Sequence, residues 1–234
     1  MKTLRVSADA APDPGILRKA MEVLAGGGVL AYPTDTVYAL GCDPRLGAAL
    51  EKLFDLKRRP SSHRVPFVAA DSTQVSLLAR MSETIAIELA ERFWPGPLSL
   101  VLPLREDAPL CAAWNWGASI AVRVPASYLA RALASGATLP LPATSANLSG
   151  EQAVSDLANL EPELLRRIDL LLDAGRLPPR PVSTLVDLTT DEPRILREGA
   201  VPSALLERYL ASARTNPTAS APAPGHGSRP KESG

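Results

Sequence analysis

Short runs of β-branched and aliphatic residues alternate with helix-period segments along most of this chain, and this alternation limits its fold more than any other feature. The runs that predict strands are Val29–Tyr32, Val65–Val68, Leu98–Leu102, Ser119–Val124, Leu170–Leu172 and Ser183–Leu188. The segments with apolar residues at helical spacing are Ile16–Leu24, Ala48–Leu56, Glu83–Phe93, Tyr128–Ala134 and Pro162–Ile168. This order predicts an α/β fold in which helices pack on a sheet.

The connections between these elements refine the prediction. Gly26, Gly27 and Gly28 end the first helix, because glycine is favoured just past a helix C-terminus. Segment 189–193, Thr-Thr-Asp-Glu-Pro, lies between two strand-like runs and predicts a hairpin, so we expect a mixed sheet. Ligands of α/β folds collect at loops beyond strand ends, and we expect the functional residues there.

The C-terminal segment differs in composition from the rest of the chain. Residues 212–234 hold four Pro, four Ser, four Ala and three Gly and show no apolar periodicity. Such a segment cannot bury enough apolar surface to fold and is expected to be a disordered tail. Residues 1–211 contain no repeat and no second linker, so they are predicted to form one domain.

Composition excludes several classes of protein. Lys and Arg number 25 and Asp and Glu number 25, which argues against a polybasic nucleic-acid binder. Two cysteines and two histidines are too few for a disulfide framework or a zinc site. The sequence shows no membrane-length apolar run and no signal-peptide pattern, so the expected location is the cytoplasm, without membrane contact.

Two segments place polar side chains where a ligand could bind. The stretch from Tyr32 to Asp43 follows a strand and presents Pro, two threonine hydroxyls and a carboxylate, which is typical of a capped turn or of a binding edge. Segment 52–64 holds five basic residues and one acidic residue. Its Lys57 and Arg59 could hold phosphate oxygens, although a solvated basic face accounts for the same residues.

The other candidates are single residues in apolar surroundings. Arg123 lies in an apolar strand, on the face opposite Val122 and Val124, where it faces either solvent or an anion in a cleft. Segment 144–150, Thr-Ser-Ala-Asn-Leu-Ser-Gly, forms either a pocket lining or an ordinary turn. Ser183 and Arg197 are unremarkable when each is taken alone.

Taken together, the motifs are much more specific. YPTDTVYALGCD, KRRP, WPGP, AVRVP, TSANLSG, STLVD and ILREG occur in this order between about Gly15 and Gly199. This pattern resembles the YrdC family of L-threonylcarbamoyladenylate synthases, in its single-domain type. The resemblance implies a twisted mixed sheet with helices around a concave cleft. It also implies a nucleotidyltransferase that makes threonylcarbamoyl-AMP and pyrophosphate from L-threonine, bicarbonate or CO2, and ATP.

The resemblance also implies roles for individual residues. Lys57, Arg59 and Arg123 are the expected catalytic residues, and Tyr32 and Thr34 shape the same strand edge. The expected L-threonine contacts are Thr36, Arg123, Ser145 and Ser183. The expected ATP contacts are Lys57, Arg59, Ser119, Asn147, Ser155 and Arg197. Mg2+ would accompany ATP, held by phosphates and water rather than by a protein metal site.

The expected product is used in making threonylcarbamoyladenosine at position 37 of tRNA, which links the chain to a threonylcarbamoyl-transferase complex. Three residues depart from the family pattern: Ala39 replaces a glycine, Val182 a glutamate, and His63 an asparagine or lysine. Two alternatives stay open, a tRNA- or double-stranded-RNA-binding protein without synthase activity and a carbamoyl-transfer relative. Residues 1–211 hold 22 Lys and Arg against 24 Asp and Glu, a net charge of −2, which argues against the first because non-specific RNA binding depends on basic residues. The length of this chain argues against the second alternative, because such relatives carry the YrdC-like unit within a much larger chain.

Overall fold

The computed structural model describes residues 2–8, 10–58, 64–81, 84–148 and 154–215, with the backbone alone for 212–215. Its strands are β1 (Lys2–Arg5), β2 (Leu30–Pro33), β3 (Tyr38–Gly41), β4 (Phe67–Val68), β5 (Leu98–Pro103), β6 (Ser119–Arg123), β7 (Leu141–Pro142), β8 (Thr144–Ser145), β9 (Leu170–Asp173), β10 (Thr184–Asp187) and β11 (Arg194–Arg197). Its α-helices are α1 (Pro14–Ala25), α2 (Gly47–Leu56), α3 (Ser72–Val75), α4 (Thr84–Phe93), α5 (Tyr128–Gly136), α6 (Pro162–Arg167) and α7 (Ser203–Thr215). The predicted α/β class is confirmed.

The strands are divided between two mixed sheets, a division that the sequence pattern did not indicate. The first sheet has the order β1-β9-β2-β3-β8 and the second β11-β10-β5-β6-β4-β7. β10 and β11 pair antiparallel, so the hairpin predicted around residues 189–193 is confirmed. The chain passes from the second sheet to the first at Ala143, between β7 and β8.

The first sheet is covered by helices on both faces. Ala31 and Leu171 pack in a cluster with residues of α2 and α6. Their neighbours Leu30, Leu170 and Leu172 point the other way, into a cluster with residues of α1 and α5. This arrangement explains why all residues of β2 and β3 are buried, since a sheet with two covered faces needs an apolar residue at nearly every position.

The second sheet is covered on one face. Leu98, Leu100 and Leu102 of β5 join Ile120 and Val122 of β6 in a cluster with residues of α4 and α7. Successive residues of a strand point to opposite faces, so every second residue of these strands points away from this core. The opposite face is the one that forms the site.

Local capping explains where several helices begin. Asp13 precedes α1 and its side chain accepts hydrogen bonds from the backbone N–H groups of Gly15 and Ile16, at 2.7 and 3.3 Å. Ser127 caps α5 in the same way, accepting from the Ala130 N–H at 3.2 Å. The five predicted helices are present in the described residues, with ends shifted by one or two positions.

The C-terminal helix α7 was not predicted. It runs to Thr215, past the expected domain boundary at residue 211. Leu206 and Leu210 of α7, together with Val201 just before the helix, are buried in the cluster beneath the second sheet. The remainder of the predicted tail, residues 216–234, lies outside the described residues.

No helix in the described part of the chain combines the length and the apolar character needed to cross a membrane.

Candidate active site

The face of the second sheet that points away from its core lines an open cleft of about 540 Å³. On β6, Ser119, Ala121 and Arg123 face the cleft, whereas Ile120 and Val122 face the core. The strand pleat thus selects the lining residues, and the predicted orientation of Arg123 opposite Val122 is confirmed. The same alternation on neighbouring strands adds Ser99 and Val101 of β5 and Leu185 and Asp187 of β10.

The opposite wall comes from the first sheet and carries hydroxyl groups. Thr34 and Thr36 lie in the turn between β2 and β3, and Thr144 and Ser145 form β8. The Thr34 hydroxyl donates to the Val37 carbonyl oxygen at 2.7 Å and lies 3.1 Å from the Thr36 hydroxyl. This segment is therefore both a hydrogen-bonded turn and part of the cleft, so the two interpretations of the motif hold together.

A buried ion pair joins the two walls. Arg123 Nη1 donates to Asp35 Oδ1 at 2.9 Å, and the two side chains are 9% and 6% exposed. Asp35 belongs to the turn after β2 and Arg123 ends β6, so the pair connects the first sheet to the second. The second oxygen, Asp35 Oδ2, accepts from the Ala126 N–H at 3.2 Å. Arg123 is thereby held in one orientation at the cleft.

Ser183 and Arg197 lie side by side on the second-sheet wall. The Ser183 carbonyl oxygen accepts from Arg197 Nη2 at 2.9 Å and from Nε at 3.2 Å. The Ser183 hydroxyl lies 2.9 Å from the Ser99 hydroxyl on the neighbouring strand. The Ser183 hydroxyl is thus held by a hydrogen bond with the Ser99 hydroxyl and lies beside the guanidinium of Arg197.

Gly199 allows this close arrangement. A Cβ atom at position 199 would lie 2.2 Å from the Val182 carbonyl oxygen, which no side chain can tolerate. The Thr184 hydroxyl accepts from the Gly199 N–H at 2.9 Å and donates to the Val201 carbonyl oxygen at 2.7 Å. These contacts hold the segment that follows β11 close to Ser183.

The charges of the cleft favour an anion. Burial, together with the nearby positive charge of Arg123, lowers the pKa of Arg197 below its usual value. A like charge disfavours the protonated form, so a negative group bound near both arginines would relieve their repulsion. A carboxylate or phosphate satisfies both guanidinium groups, since each offers several donors in a plane.

Lys57 lies behind the hydroxyl wall rather than in the cleft. It is 1% exposed, and its Nζ donates to the Ser145 carbonyl oxygen at 2.5 Å and to Asn147 Oδ1 at 2.8 Å. It also contacts the Asn147 carbonyl oxygen, and the Ser145 hydroxyl donates to Asn147 Oδ1. Lys57 therefore organises the turn that presents Ser145.

The structure brings together most of the predicted site residues. The predicted contacts that line the cleft are Thr34, Thr36, Ser119, Arg123, Ser145, Ser183 and Arg197. Those that do not line it are Tyr32, Lys57, Asn147 and Ser155. Arg59 lies outside the described residues. The direct ligand contacts of all these residues stay predictions.

Tyr32 is fully buried beside the first-sheet wall. Its hydroxyl has no hydrogen-bond partner among the described residues, and burial raises its pKa. Tyr32 therefore lies inside the protein and does not line the cleft, and its expected role at the strand edge stays a prediction.

Sequence reasoning missed three residues of the site. Asp35 lies in the motif YPTDTVYALGCD, but nothing in that motif identifies it as the partner of Arg123, 88 positions later in the chain. Ser99 and Arg64 were also missed. The signal for Ser99 was available, because a serine between two core leucines on an alternating strand points away from the core. Nothing local distinguishes Arg64 from the other basic residues around it.

Two of the three departures from the family pattern lie in described residues. Ala39 lines the cleft from within β3 and has an ordinary strand conformation, so its methyl group needs no positive φ. Val182 lies at the rim of the cleft, half exposed, and its carbonyl oxygen accepts from the Ala200 N–H at 2.9 Å. His63 lies outside the described residues.

The family model described as Sua5_yciO_yrdC, telomere recombination, matches residues 22–199. This match covers the strands and helices that build both walls of the cleft. The chain therefore belongs to the Sua5/YciO/YrdC family, and the resemblance inferred from the motifs is confirmed.

Individual relatives are similar over most of the chain. A protein of Xanthomonas campestris named threonylcarbamoyl-AMP synthase is 41% identical over 71% of this chain and 91% of its own length. A protein of Pyrococcus abyssi with the same name is 33% identical over 86% of this chain, which spans 59% of that relative. The crystal structure of P. abyssi Sua5 complexed with L-threonine superposes with a TM-score of 0.81 and 30% identity, over 89% of this chain and 61% of that one.

Proposed function

We propose that this chain is an L-threonylcarbamoyladenylate synthase, which makes threonylcarbamoyl-AMP for the first step of threonylcarbamoyladenosine formation on tRNA. The observation that carries this proposal is a cleft with Arg64, Arg123 and Arg197 on the second-sheet wall, here called the arginine wall, and ordered hydroxyl groups on the first-sheet wall, the hydroxyl wall. The names of the similar proteins support the proposal, although the chain spans only 59% of the P. abyssi relative. The cytoplasm is the proposed location.

L-threonine is proposed to bind where the two walls meet. Arg123 is fixed by Asp35 and can take the substrate carboxylate as a charge-assisted pair. Thr36 and Ser145 from the hydroxyl wall, and Ser183 from the arginine wall, lie around the same cleft and can accept from or donate to the substrate amine and hydroxyl. Two walls that each contribute contacts fix the position of a small substrate better than one wall does.

The proposed reaction needs no protein nucleophile. The threonine amine adds to CO2 and loses a proton, which forms an N–C bond and a carbamate. A carbamate oxygen then forms a bond with the α-phosphorus of ATP as the bond to the β-phosphate bridging oxygen breaks, and pyrophosphate leaves. The transfer of AMP to a carbamate makes this a nucleotidyl transfer. The protein would contribute alignment and positive charge on the phosphates.

ATP is proposed to lie along the arginine wall. Ser119 and Arg197 line the cleft and can contact the nucleotide directly. Lys57 and Asn147 would act by holding the turn at Ser145, since they lie behind the hydroxyl wall. Ser155 also lies outside the cleft lining. Arg59, two residues after Lys57 in the sequence, is proposed as a further phosphate contact on the basis of the resemblance alone.

Mg2+ is proposed to bind with ATP. Within the described residues, no group of three or more His, Cys, Asp or Glu side chains could hold a metal ion. One carboxylate, Asp187, faces the cleft, and its Oδ1 accepts from the Thr189 N–H at 2.9 Å. This donor set fits a cation held mainly by phosphate oxygens and water. When bound, the ion would neutralise charge on the departing pyrophosphate.

The decisive experiment is mass-spectrometric detection of threonylcarbamoyl-AMP together with pyrophosphate release. The full chain would be mixed with ATP, L-threonine, bicarbonate and Mg2+, and each component would be omitted in turn. The expected result is a product that needs every component. A folded chain that binds ATP but yields no product would contradict the proposal. Salt-dependent binding to tRNA by such a chain would then favour the RNA-binding alternative.

A further inference from the structure

Arg64 is a cleft-lining cation with no assigned role. It is exposed, it contributes to the cleft wall, and it lies three residues before β4 begins at Phe67. Arg45, Arg58, Arg80 and Arg123 each pair with a carboxylate, whereas no ion pair between described side chains includes Arg64. Its charge is therefore not neutralised by a described carboxylate.

Ser119 and the neighbouring turn at Gly117 hold the Arg64 side chain in place. Arg64 Nη1 donates to the Ser119 hydroxyl at 2.5 Å, and a Cβ atom at Gly117 would lie 2.9 Å from Arg64 Nη2. Gly117 has a φ of 71°, and its N–H donates to Asn115 Oδ1 at 3.1 Å, which fixes the turn. A glycine in this conformation leaves the space in which the guanidinium lies.

The position of Arg64 within the cleft suggests which part of a ligand it meets. Arg123 and Ser119 lie at opposite ends of the cleft-facing row of β6, roughly 13 Å apart along the strand at about 3.3 Å per residue. Arg197 lies close enough to Arg123 for the positive charge of Arg123 to lower its pKa. Arg64, which contacts Ser119, is thus the cation at the end away from Arg123.

We propose that Arg64, oriented by Ser119 and Gly117, binds the departing pyrophosphate portion of ATP. The inference rests on the proposed function, because phosphoryl displacement places the attacking and leaving oxygens in line on opposite sides of the phosphorus. The carbamate forms on the threonine held at the Arg123 end, so the pyrophosphate leaves toward the other end. The planar guanidinium of Arg64 matches two phosphate oxygens there.

The test is calorimetric titration of the full chain with inorganic pyrophosphate, AMP and L-threonine, each in the presence of Mg2+. Arg64→Gln keeps a polar side chain at this position but removes the charge. We expect its Kd for pyrophosphate to rise about 10- to 100-fold, as for the loss of a charged hydrogen bond, while the Kd values for AMP and L-threonine stay unchanged. Arg64→Lys, which keeps the charge without the planar fork, should give an intermediate Kd for pyrophosphate.

Arg80→Gln is the matched control, because Arg80 is exposed, pairs with Glu106 at 3.2 Å and is not among the cleft-lining residues. It should bind pyrophosphate as the wild type does. A pyrophosphate Kd for Arg64→Gln within twofold of the wild type would overturn the proposal. An equal weakening of L-threonine binding would also overturn it, since it would show a general disturbance of the cleft.

Gly117→Ala provides a second test that keeps Arg64 itself. The added methyl group would displace the guanidinium, so pyrophosphate binding should weaken while the arginine charge remains. Unchanged pyrophosphate binding in this variant would contradict the proposed orientation by the turn. Synthesis by the wild type separates the two proposals. A wild type that makes no threonylcarbamoyl-AMP but binds pyrophosphate through Arg64 would contradict the proposed function and leave the phosphate site standing.

Discussion

The two sheets of this protein are built from similar strands but have different surroundings. The first sheet has helices on both faces, and β2 and β3 are buried at every position. The second sheet has helices on one face, and its other face lines the cleft with Ser, Ala, Val and Arg side chains at alternate positions. The comparison shows that the site forms where a sheet face lacks a helical layer, and that the first sheet contributes mainly turns, the end strand β8 and Ala39 of β3 to it.

The largest effect is expected for the ion pair that joins the sheets. Arg123→Ala leaves the Asp35 carboxylate buried without its partner, which should lower the free energy of unfolding by about 3–5 kcal/mol and abolish measurable synthesis. Urea denaturation and product formation would test this. The double variant Arg123→Ala with Asp35→Asn should recover part of the stability but none of the activity. Recovery of activity would contradict a direct role of Arg123.

The contrast between the sheets themselves can be tested with leucine and valine truncations. Leu170 and Leu171 face opposite sides of the first sheet. Because both sides are packed, replacing either residue with alanine should lower the free energy of unfolding by about 2–5 kcal/mol. In the second sheet, Leu100→Ala should lower the free energy of unfolding by the same amount. Val101 faces the cleft, so Val101→Ala should lower it by well under about 1 kcal/mol. Equal costs at positions 100 and 101 would contradict the open face.

A smaller loss is expected for the cation behind the hydroxyl wall. Lys57→Met removes the charged donor from the Ser145 and Asn147 oxygens, which should lower the free energy of unfolding by about 1.5–3 kcal/mol. The same change should raise the KM for L-threonine, because the turn that presents Ser145 loses its support. Thermal unfolding and steady-state kinetics would measure both. The adjacent exposed residue offers a control, since Arg58→Met breaks a surface pair with Glu163 and should lower the free energy of unfolding by less than about 1 kcal/mol. Similar losses in both variants would argue against the buried role of Lys57.

The smallest effect concerns the alanine at a family glycine position. Ala39→Gly restores the glycine in a strand that needs no positive φ, so it should reduce stability by about 0.5–1 kcal/mol and leave kcat and KM nearly unchanged. A large gain in activity would show that the Ala39 methyl group restricts the substrate in the cleft.

Much of the fold could be predicted because its signals are local. The helix α4 and the strands β5 and β6 follow from apolar periodicity and turn residues within a few positions. The helix α7 was missed because its alanine- and serine-rich end merges into a segment of linker composition. The division into two sheets was missed because strand pairing depends on contacts between distant segments, such as β2 with β9, which no local pattern encodes.

The sequence by itself determined the family, the α/β class and the face on which Arg123 lies, because motifs, periodicity and strand alternation are properties of neighbouring residues. The tertiary structure alone decided that Asp35 pairs with Arg123, that Lys57 lies behind Ser145, and that Arg64 reaches Ser119. Each of these contacts joins residues more than 50 positions apart. Such contacts depend on how the two sheets meet, and the energy that selects them comes from packing of the whole chain.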